Sequence, residues 1–507
     1  MAEGSARTTD ACYWTEAEEH APHPTLKGEI EADVAIVGGG IVGVVAARLL
    51  ADAGRKVALV EAQGVGHGVT GRSTAKVTAQ HGLFLHRILD QHGEDAARAY
   101  ADANLAGVAL IRELVERHAL NCDFEAADSV VYATTADGAK QLEAERDAAA
   151  RAGLAMEPIA DAGLPFATTG ALRLAGQAQF QPAAFVAGLA ATLANAGCEV
   201  FEQSRVIDWD EHGVRMAEGS VRAPITIMAT HLPLGQVGQF HAHTSPHMHA
   251  VMAVPVAAER APAGMFISAD EPKRSLRRHR GADGSTVMIL TGPRFAHGDA
   301  AAERTGFAEL EEFASTHFGW SGGGWRWSNE DYAPRDGLPY IGWAGDEGES
   351  PLVATGFDAW GLSNGAVAAR ILADLVEGRD NRWTGCFAAS RHSAKGLGKL
   401  LSDAGSVAAG LVKGHATSHA DAPLPAKPGE AALVEIAGRT AGVFRDEAGE
   451  LHAVSAVCTH MGCLLGWNPV DRTWDCPCHG SRFAVDGAVR HGPAIEPLPL
   501  IELETAR

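Results

Sequence analysis

The 507-residue chain has no long apolar run, no surplus of basic residues and no regular spacing of cysteines, and each absence removes a class of function. The run Ala250 to Ala258, one of its most apolar stretches, is nine residues long and contains Pro255. A membrane helix needs about 20 apolar residues, so no membrane span is expected. The opening stretch MAEGSARTTDACYWTEAEEH lacks the apolar core of a secretory leader, which makes the cytoplasm the expected location. Lysine and arginine number 42 against 63 acidic residues, a formal charge of −21 that disfavours a nucleic-acid partner, because phosphate binding needs a basic face. Of eight cysteines, Cys12, Cys122, Cys198 and Cys386 are scattered and the other four crowd into one short stretch. That is not the framework of a secreted disulfide scaffold. The length exceeds what one hydrophobic core usually serves, so at least two domains are expected.

The crowded stretch runs from Cys458 to Phe483, CTHMGCLLGWNPVDRTWDCPCHGSRF. Cys458 and His460 form a Cys-x-His pair, and Cys476 and His479 a Cys-x-x-His pair. Each pair can give one thiolate to one iron and one imidazole to the other, the ligand set of a Rieske-type 2Fe-2S cluster. Imidazole carries less negative charge than thiolate, so such centres are easy to reduce, at about −150 to +300 mV. Zinc takes the same residue types. It has no use, however, for the full run Cys-Pro-Cys-His-Gly-Ser, which together with Cys-Thr-His-x-Gly-Cys resembles the Rieske proteins of cytochrome bc complexes. The resemblance implies a disulfide between Cys463 and Cys478 across the cluster, unusual for a cytoplasmic protein unless burial shields it. Where those proteins have a tyrosine, this chain has Phe483; Ser481 remains as a donor towards a ligand sulfur, and a lower potential is expected.

Near the other end, EADVAIVGGGIVGVVAARLLADAGRKVALVEA has the parts of a dinucleotide-binding βαβ unit. Asp33 to Val37 predicts a buried strand, and Gly38, Gly40 and Gly43 form G-x-G-x-x-G at its turn into a helix reaching about Asp52. Gly54 stops the helix, Lys56 to Val60 forms the next strand, and Glu61, followed by Ala62, is placed to accept from ribose hydroxyls. The fingerprint does not separate FAD from NAD. Pro351 to Arg379, PLVATGFDAWGLSNGAVAARILADLVEGR, and Asp331 to Gly342, DYAPRDGLPYIG, resemble the C-terminal flavin segments of the D-amino-acid oxidase-like superfamily. That resemblance implies FAD, with Gly356, Gly361, Leu362 and Ser363 leading a helix whose positive end faces the flavin. The implied fold class is α/β, a Rossmann-like FAD-binding domain with an inserted α+β substrate domain, followed by an all-β Rieske domain.

The segments expected are an N-terminal arm over 1–30, FAD-binding segments near 31–95, 180–235 and 335–390, substrate-domain segments near 96–179 and 236–334, a linker over 391–430 and the Rieske domain over 431–507. Arg72, Ser73 and Thr74, in a segment expected to pass along the flavin as far as His81, are candidate cofactor ligands, with Ser73 or Thr74 capping a helix. Plain helix capping in a polar loop is the alternative. Val206 is a candidate backbone contact for adenine. Leu105, Val108, Ile111 and Val115 predict the buried face of a helix over 94–120, and Pro182 opens a helix reaching Gly197. In the basic run KRSLRRHR, which otherwise reads as a solvated turn, Arg277 is a candidate for gripping a substrate carboxylate, as is Arg335. With His81 they form the candidate catalytic set. Five histidines lie between His231 and His249, but no acidic residue separates them, so exposed strand histidines are expected rather than a metal site. In the linker, Lys395, Lys399 and Lys413 offer at most a weak amphipathic helix.

The resemblance implies oxidation of a small amine or amino acid at a C–N bond. No second G-x-G-x-x-G unit exists for a nicotinamide, so electrons are expected to leave through the cluster to an external acceptor. The alternative is an electron-transfer protein without an organic substrate, for which the substrate-domain insertions have no purpose.

Overall fold

The computed structural model of the chain describes residues 8–16, 21–281, 283–391 and 422–503. Lys395, Lys399 and Lys413 lie outside the described residues. The dinucleotide unit forms where the glycine pattern requires it. Val34–Val37, Val57–Val60, Cys198–Phe201, Ile225–Met228 and Leu352–Thr355 are parallel neighbours in one sheet, closed at its edge by antiparallel Tyr340–Trp343. Val34 to Val37 are all buried, as a strand covered on both faces must be. The helices Ile41–Asp52 and Gly361–Val376 pack against each other over this sheet. A Cβ at Gly43 would collide with the Gly38 carbonyl, so glycine there is the condition for the close strand–helix contact.

A second, ten-stranded sheet is largely antiparallel and draws on residues from Thr9 to Pro334; the helix Ala300–Phe318 covers it with Phe307, Leu310 and Phe318. The run KRSLRRHR is not a solvated turn. Ser275–Arg280 is a strand within this sheet, with Leu276, Arg277 and His279 buried. The strand Thr244–Pro255 likewise turns His247 and His249 inward rather than to solvent. Three smaller expectations also change. The helix Glu94–Arg117 buries Ala101, Val108, Ile111 and Leu114, while Leu105 is exposed, because the apolar face turns around alanines and Gly107 that let Gly361–Val376 approach. No helix starts at Ser73 or Thr74: the 3-10 turn Thr70–Arg72 ends there and leads into the strand Lys76–Val77. The helix from Pro182 stops at Ala191, followed by a separate 3-10 turn Ala194–Ala196 before Gly197 at φ 77°.

The C-terminal region is two small antiparallel sheets, one of Ala431–Ile436, Arg439–Arg445 and Leu451–Ser455, the other of Gly466–Asn468, Thr473–Asp475, Arg482–Phe483 and Val489–His491. Its core includes Trp474 and Phe483. It lies directly on the rest of the chain. Asp471 joins Arg72 at 2.6 Å and Arg482 at 2.7 Å, and Gly298 packs so tightly on Gly466 that neither tolerates a Cβ. Among the described residues no helix is long and apolar enough to cross a membrane.

Candidate functional site

A cavity of about 730 Å³ runs between the two large sheets, a size typical of ligand sites at about 300–1,000 Å³. At one end it is lined by Gly38, Gly40, Glu61, Ala62 and Val206, and at the other by Ser73, Thr74, His81, Gly361 and Leu362. The helix Ile41–Asp52 starts at Gly40 with no side-chain cap of its own, and beyond the Ile41 amide, which Thr70 takes at 3.1 Å, its amide end faces the cavity, where a pyrophosphate is favoured. Glu61 accepts from the Gly39 amide at 2.7 Å and the Gln63 amide at 2.8 Å, which fixes its carboxylate at the cavity wall with acceptor capacity left for a ribose. The helix Gly361–Val376 points its uncapped start at the same space. These residues fit FAD.

Six of the expected residues do not line the cavity. Gly43 and Gly356 serve packing, Gly356 against Pro334 at φ 77°. Ser363 holds His81 from behind at 3.0 Å. Arg72 is turned away, donating to the Ser328 carbonyl and to Asp471 of the C-terminal region. Arg277 is 1% exposed; its guanidinium donates to the carbonyls of Thr74, Arg278 and Phe180 and lies over Trp14. Arg335 donates to the Ala242 carbonyl at 2.7 Å. The structure thus brings neither arginine to the cavity.

His81 does reach it. Its ring stacks on Trp360 with centroids 4.4 Å apart and contacts the Tyr100 hydroxyl at 2.6 Å and the Thr78 carbonyl at 2.8 Å. Burial drives its pKa down to about 3, so the imidazole is neutral at ordinary pH and acts as a hydrogen-bonding wall rather than a titrating base. Unforeseen from the sequence is Lys76, also on the cavity wall, buried at 8% exposure, whose ammonium meets the hydroxyls of Thr74 and Ser275. Burial, with the charge of Arg277, lowers Lys76 to about 7. Also unforeseen are Asp358, which pairs with Arg294 at 2.6 Å and Arg87 at 3.4 Å on the cavity wall, and Thr70, whose hydroxyl takes the Ile41 amide at 3.1 Å. The signal for Asp358 lay in the turn TGFDAWG, where Asp358 and Ala359 have φ of 49° and 72°. No sequence signal marked Arg490 to Ile495, by which the C-terminal region walls the same cavity.

The second site assembles in the loops after Leu451–Ser455 and after Thr473–Asp475. The thiols of Cys458 and Cys476 lie close enough to shift each other's pKa, and the rings of His460 and His479 stand 5.1 Å apart. Both Nδ1 atoms are buried without a hydrogen-bond partner, the state expected of imidazoles whose free nitrogens are reserved for iron. His460 fixes its orientation through Nε2, 3.2 Å from the Gly235 carbonyl. Cys463 and Cys478 are joined in a disulfide, which withdraws them from zinc binding. The Ser481 hydroxyl accepts from the Ala494 amide at 3.0 Å and helps to hold the Cys458 thiol below its ordinary pKa, and Phe483 is fully buried. The donor set fits a Rieske-type 2Fe-2S cluster.

The imidazole side of this site faces inward. His241 packs edge-on against both His460 and His479, each ring 5.0 Å away. The buried Tyr332 donates its hydroxyl to the His479 carbonyl at 3.1 Å, and a Cβ at Gly480 would strike that hydroxyl. Tyr332 also accepts at its own carbonyl from the Asp358 amide, 3.2 Å away, at the wall of the cavity.

Comparison with known proteins matches both domains. Residues 33–375 match the FAD dependent oxidoreductase family model and residues 420–502 that of the Rieske [2Fe-2S] domain. YhfW of Bacillus subtilis (strain 168), a Rieske 2Fe-2S iron-sulfur protein by name, is 34% identical over 505 residues, covering 98% of this chain and 99% of that protein. Gamma-glutamylputrescine oxidoreductase of Escherichia coli (strain K12) is 30% identical over 244 residues, 45% of this chain and 55% of that protein. Glycine oxidase from Geobacillus kaustophilus shares the fold, with a TM-score of 0.57 at 21% identity, over 72% of this chain and 100% of that one.

Proposed function

The chain belongs to the FAD dependent oxidoreductase family and carries a Rieske [2Fe-2S] domain, and from that premise we propose that it oxidises a small amine or amino acid at a C–N bond and delivers the electrons through the cluster to an external acceptor. FAD supplies acceptance of an electron pair from the substrate, and the cluster supplies one-electron exit. The substrate class is taken from the names of gamma-glutamylputrescine oxidoreductase and glycine oxidase. The observation that supports electron passage between the two sites is the inward docking of the cluster ligands, and its direction follows from imidazole ligation, which makes the cluster the readier acceptor. Tyr332 connects the backbone of His479 to that of Asp358 through hydrogen bonds of 3.1 and 3.2 Å.

The remaining work falls to the chain's own residues. Glu61 and the open helix ends orient the dinucleotide. His81, neutral and held on three sides, presents a fixed wall with Trp360 and keeps water out. Lys76, elsewhere in the cavity lining, is a buried group able to hold or release a proton near neutrality. The test is anaerobic: a panel of amines and amino acids is added to the full chain, and flavin and cluster absorbance are followed separately. The proposal expects bleaching of the flavin by a member of the panel, followed by cluster reduction. A cluster reduced by a protein donor, with a flavin that no panel member bleaches, would instead make the chain an electron carrier.

A further inference from the structure

Between the cavity and the cluster site, three segments distant in sequence converge on one buried carboxylate. Glu330, 3% exposed, comes from the strand Trp325–Pro334, His231 from the turn after Ile225–Met228, and His491 from the end of Val489–His491 in the Rieske domain. One donor atom from each lies within 4.8 Å of the other two. His491 Nδ1 is 2.9 Å and His231 Nδ1 3.9 Å from the same Glu330 oxygen, and His297 Nε2 is 3.4 Å from the other. Asp331 approaches His231 Nε2 at 3.6 Å.

Two features are not explained by ion pairing alone. His231 Nδ1, the nitrogen that faces Glu330, is buried with no hydrogen-bond partner, although buried polar atoms are nearly always satisfied. A separation of 3.9 Å is too long for a hydrogen bond, yet two donors each about 2.0–2.2 Å from one zinc ion stand about 3–4 Å apart. His231 also holds φ at 67°, a left-handed conformation that a side-chain-bearing residue keeps only where its surroundings fix it.

We propose that His231, Glu330 and His491 form a divalent metal site, separate from the cluster, that takes a zinc-class ion and ties the Rieske domain to the flavin module. Two imidazoles and one carboxylate suit zinc and leave a coordination position open. His231 and His491 also line the cavity, which puts the site at its wall. The stretch from His231 to His249 holds no acidic partner of its own because the carboxylate arrives from the strand Trp325–Pro334.

The test uses the full chain with FAD and cluster in place. After incubation with Zn²⁺ and dialysis, metals are counted per chain by mass spectrometry. The expected result is one zinc beyond the cluster iron, falling from one equivalent to none in Glu330→Gln and in His491→Asn while flavin and cluster absorbance persist. Absence of saturable zinc binding to the wild type at micromolar concentration, or undiminished zinc in both folded variants, overturns the proposal and leaves a proton-shared ion-pair network. If the variants do not fold, anomalous diffraction at the zinc edge decides on the wild type. A peak among the three side chains supports the site; zinc bound only elsewhere refutes it.

Discussion

Replacing Asp471 by Asn should loosen the Rieske domain without touching either cofactor site. Asp471 bridges Arg72 and Arg482 at 2.6 and 2.7 Å, with all three side chains mostly buried. Breaking a buried pair costs about 3–5 kcal/mol. Here Arg482 keeps Asp475 at 3.1 Å, and Arg72, 22% exposed, keeps the Ser328 carbonyl, so roughly 1.5–3 kcal/mol is the expected loss. At 1.4 kcal/mol per tenfold, the docked population relative to the undocked falls about 10- to 150-fold. Although burial pushes the Asp471 pKa up, the two arginines hold it below the ordinary carboxylate range. Its contribution is therefore complete above about pH 4 and fades as pH drops through the lowered value. Flash photoreduction of the flavin, with the cluster followed by its own absorbance, measures arrival of the electron without needing a substrate. Slower arrival in Asp471→Asn, with unchanged cofactor content and easier proteolytic separation of the domains, is the predicted outcome. Wild-type arrival rate and wild-type protease resistance would refute the argument that this pair holds the docked state.

Glu61→Ala should weaken FAD retention and leave the cluster intact; flavin occupancy equal to wild type after gel filtration would remove Glu61 from the site. Lys76 has a folded pKa of about 7, below its ordinary 10.5, so the unfolded chain binds more protons between those values and stability rises with pH across that window. Lys76→Met should flatten this rise, which denaturant titrations at pH 7 and pH 9 can measure. Arg277→Ala takes the side-chain donor from the carbonyls of Thr74 and Phe180, while that of Arg278 keeps Gln179 Nε2 at 3.2 Å, and should cost at least about 2 kcal/mol of stability; a folded, equally stable variant with a raised KM would return Arg277 to substrate binding.

The parts of the molecule governed by short-range rules were readable from sequence. Gly38, Gly43 and Gly54 encode a turn, a close approach and a helix stop that few other residues permit, and the strand and helix form where the pattern puts them. The Cys-Pro-Cys-His-Gly-Ser run encodes its own loop in the same way. What could not be read is what a side chain meets after the sheets assemble. Arg277 sits in a basic run that suggested solvent, but strand pairing places it inside, where backbone carbonyls and Trp14 absorb its donors. Arg72, a candidate cofactor ligand by its place in the chain, is instead an interdomain pin because Asp471 lies across the interface. The grouping of His231, Glu330 and His491 depends on three chain segments at once, and no local periodicity records it.

The most direct test of the account is His479→Ala, assayed in two halves. This substitution removes one of the two imidazole ligands and leaves the cavity lining unchanged. The account predicts that the Rieske electron-paramagnetic-resonance signal disappears and turnover with an external one-electron acceptor is lost, while anaerobic reduction of the flavin by substrate proceeds at the wild-type rate. Full turnover with the physiological acceptor would make the cluster structural, and a folded variant whose flavin substrate no longer reduces would mean that electrons enter through the cluster.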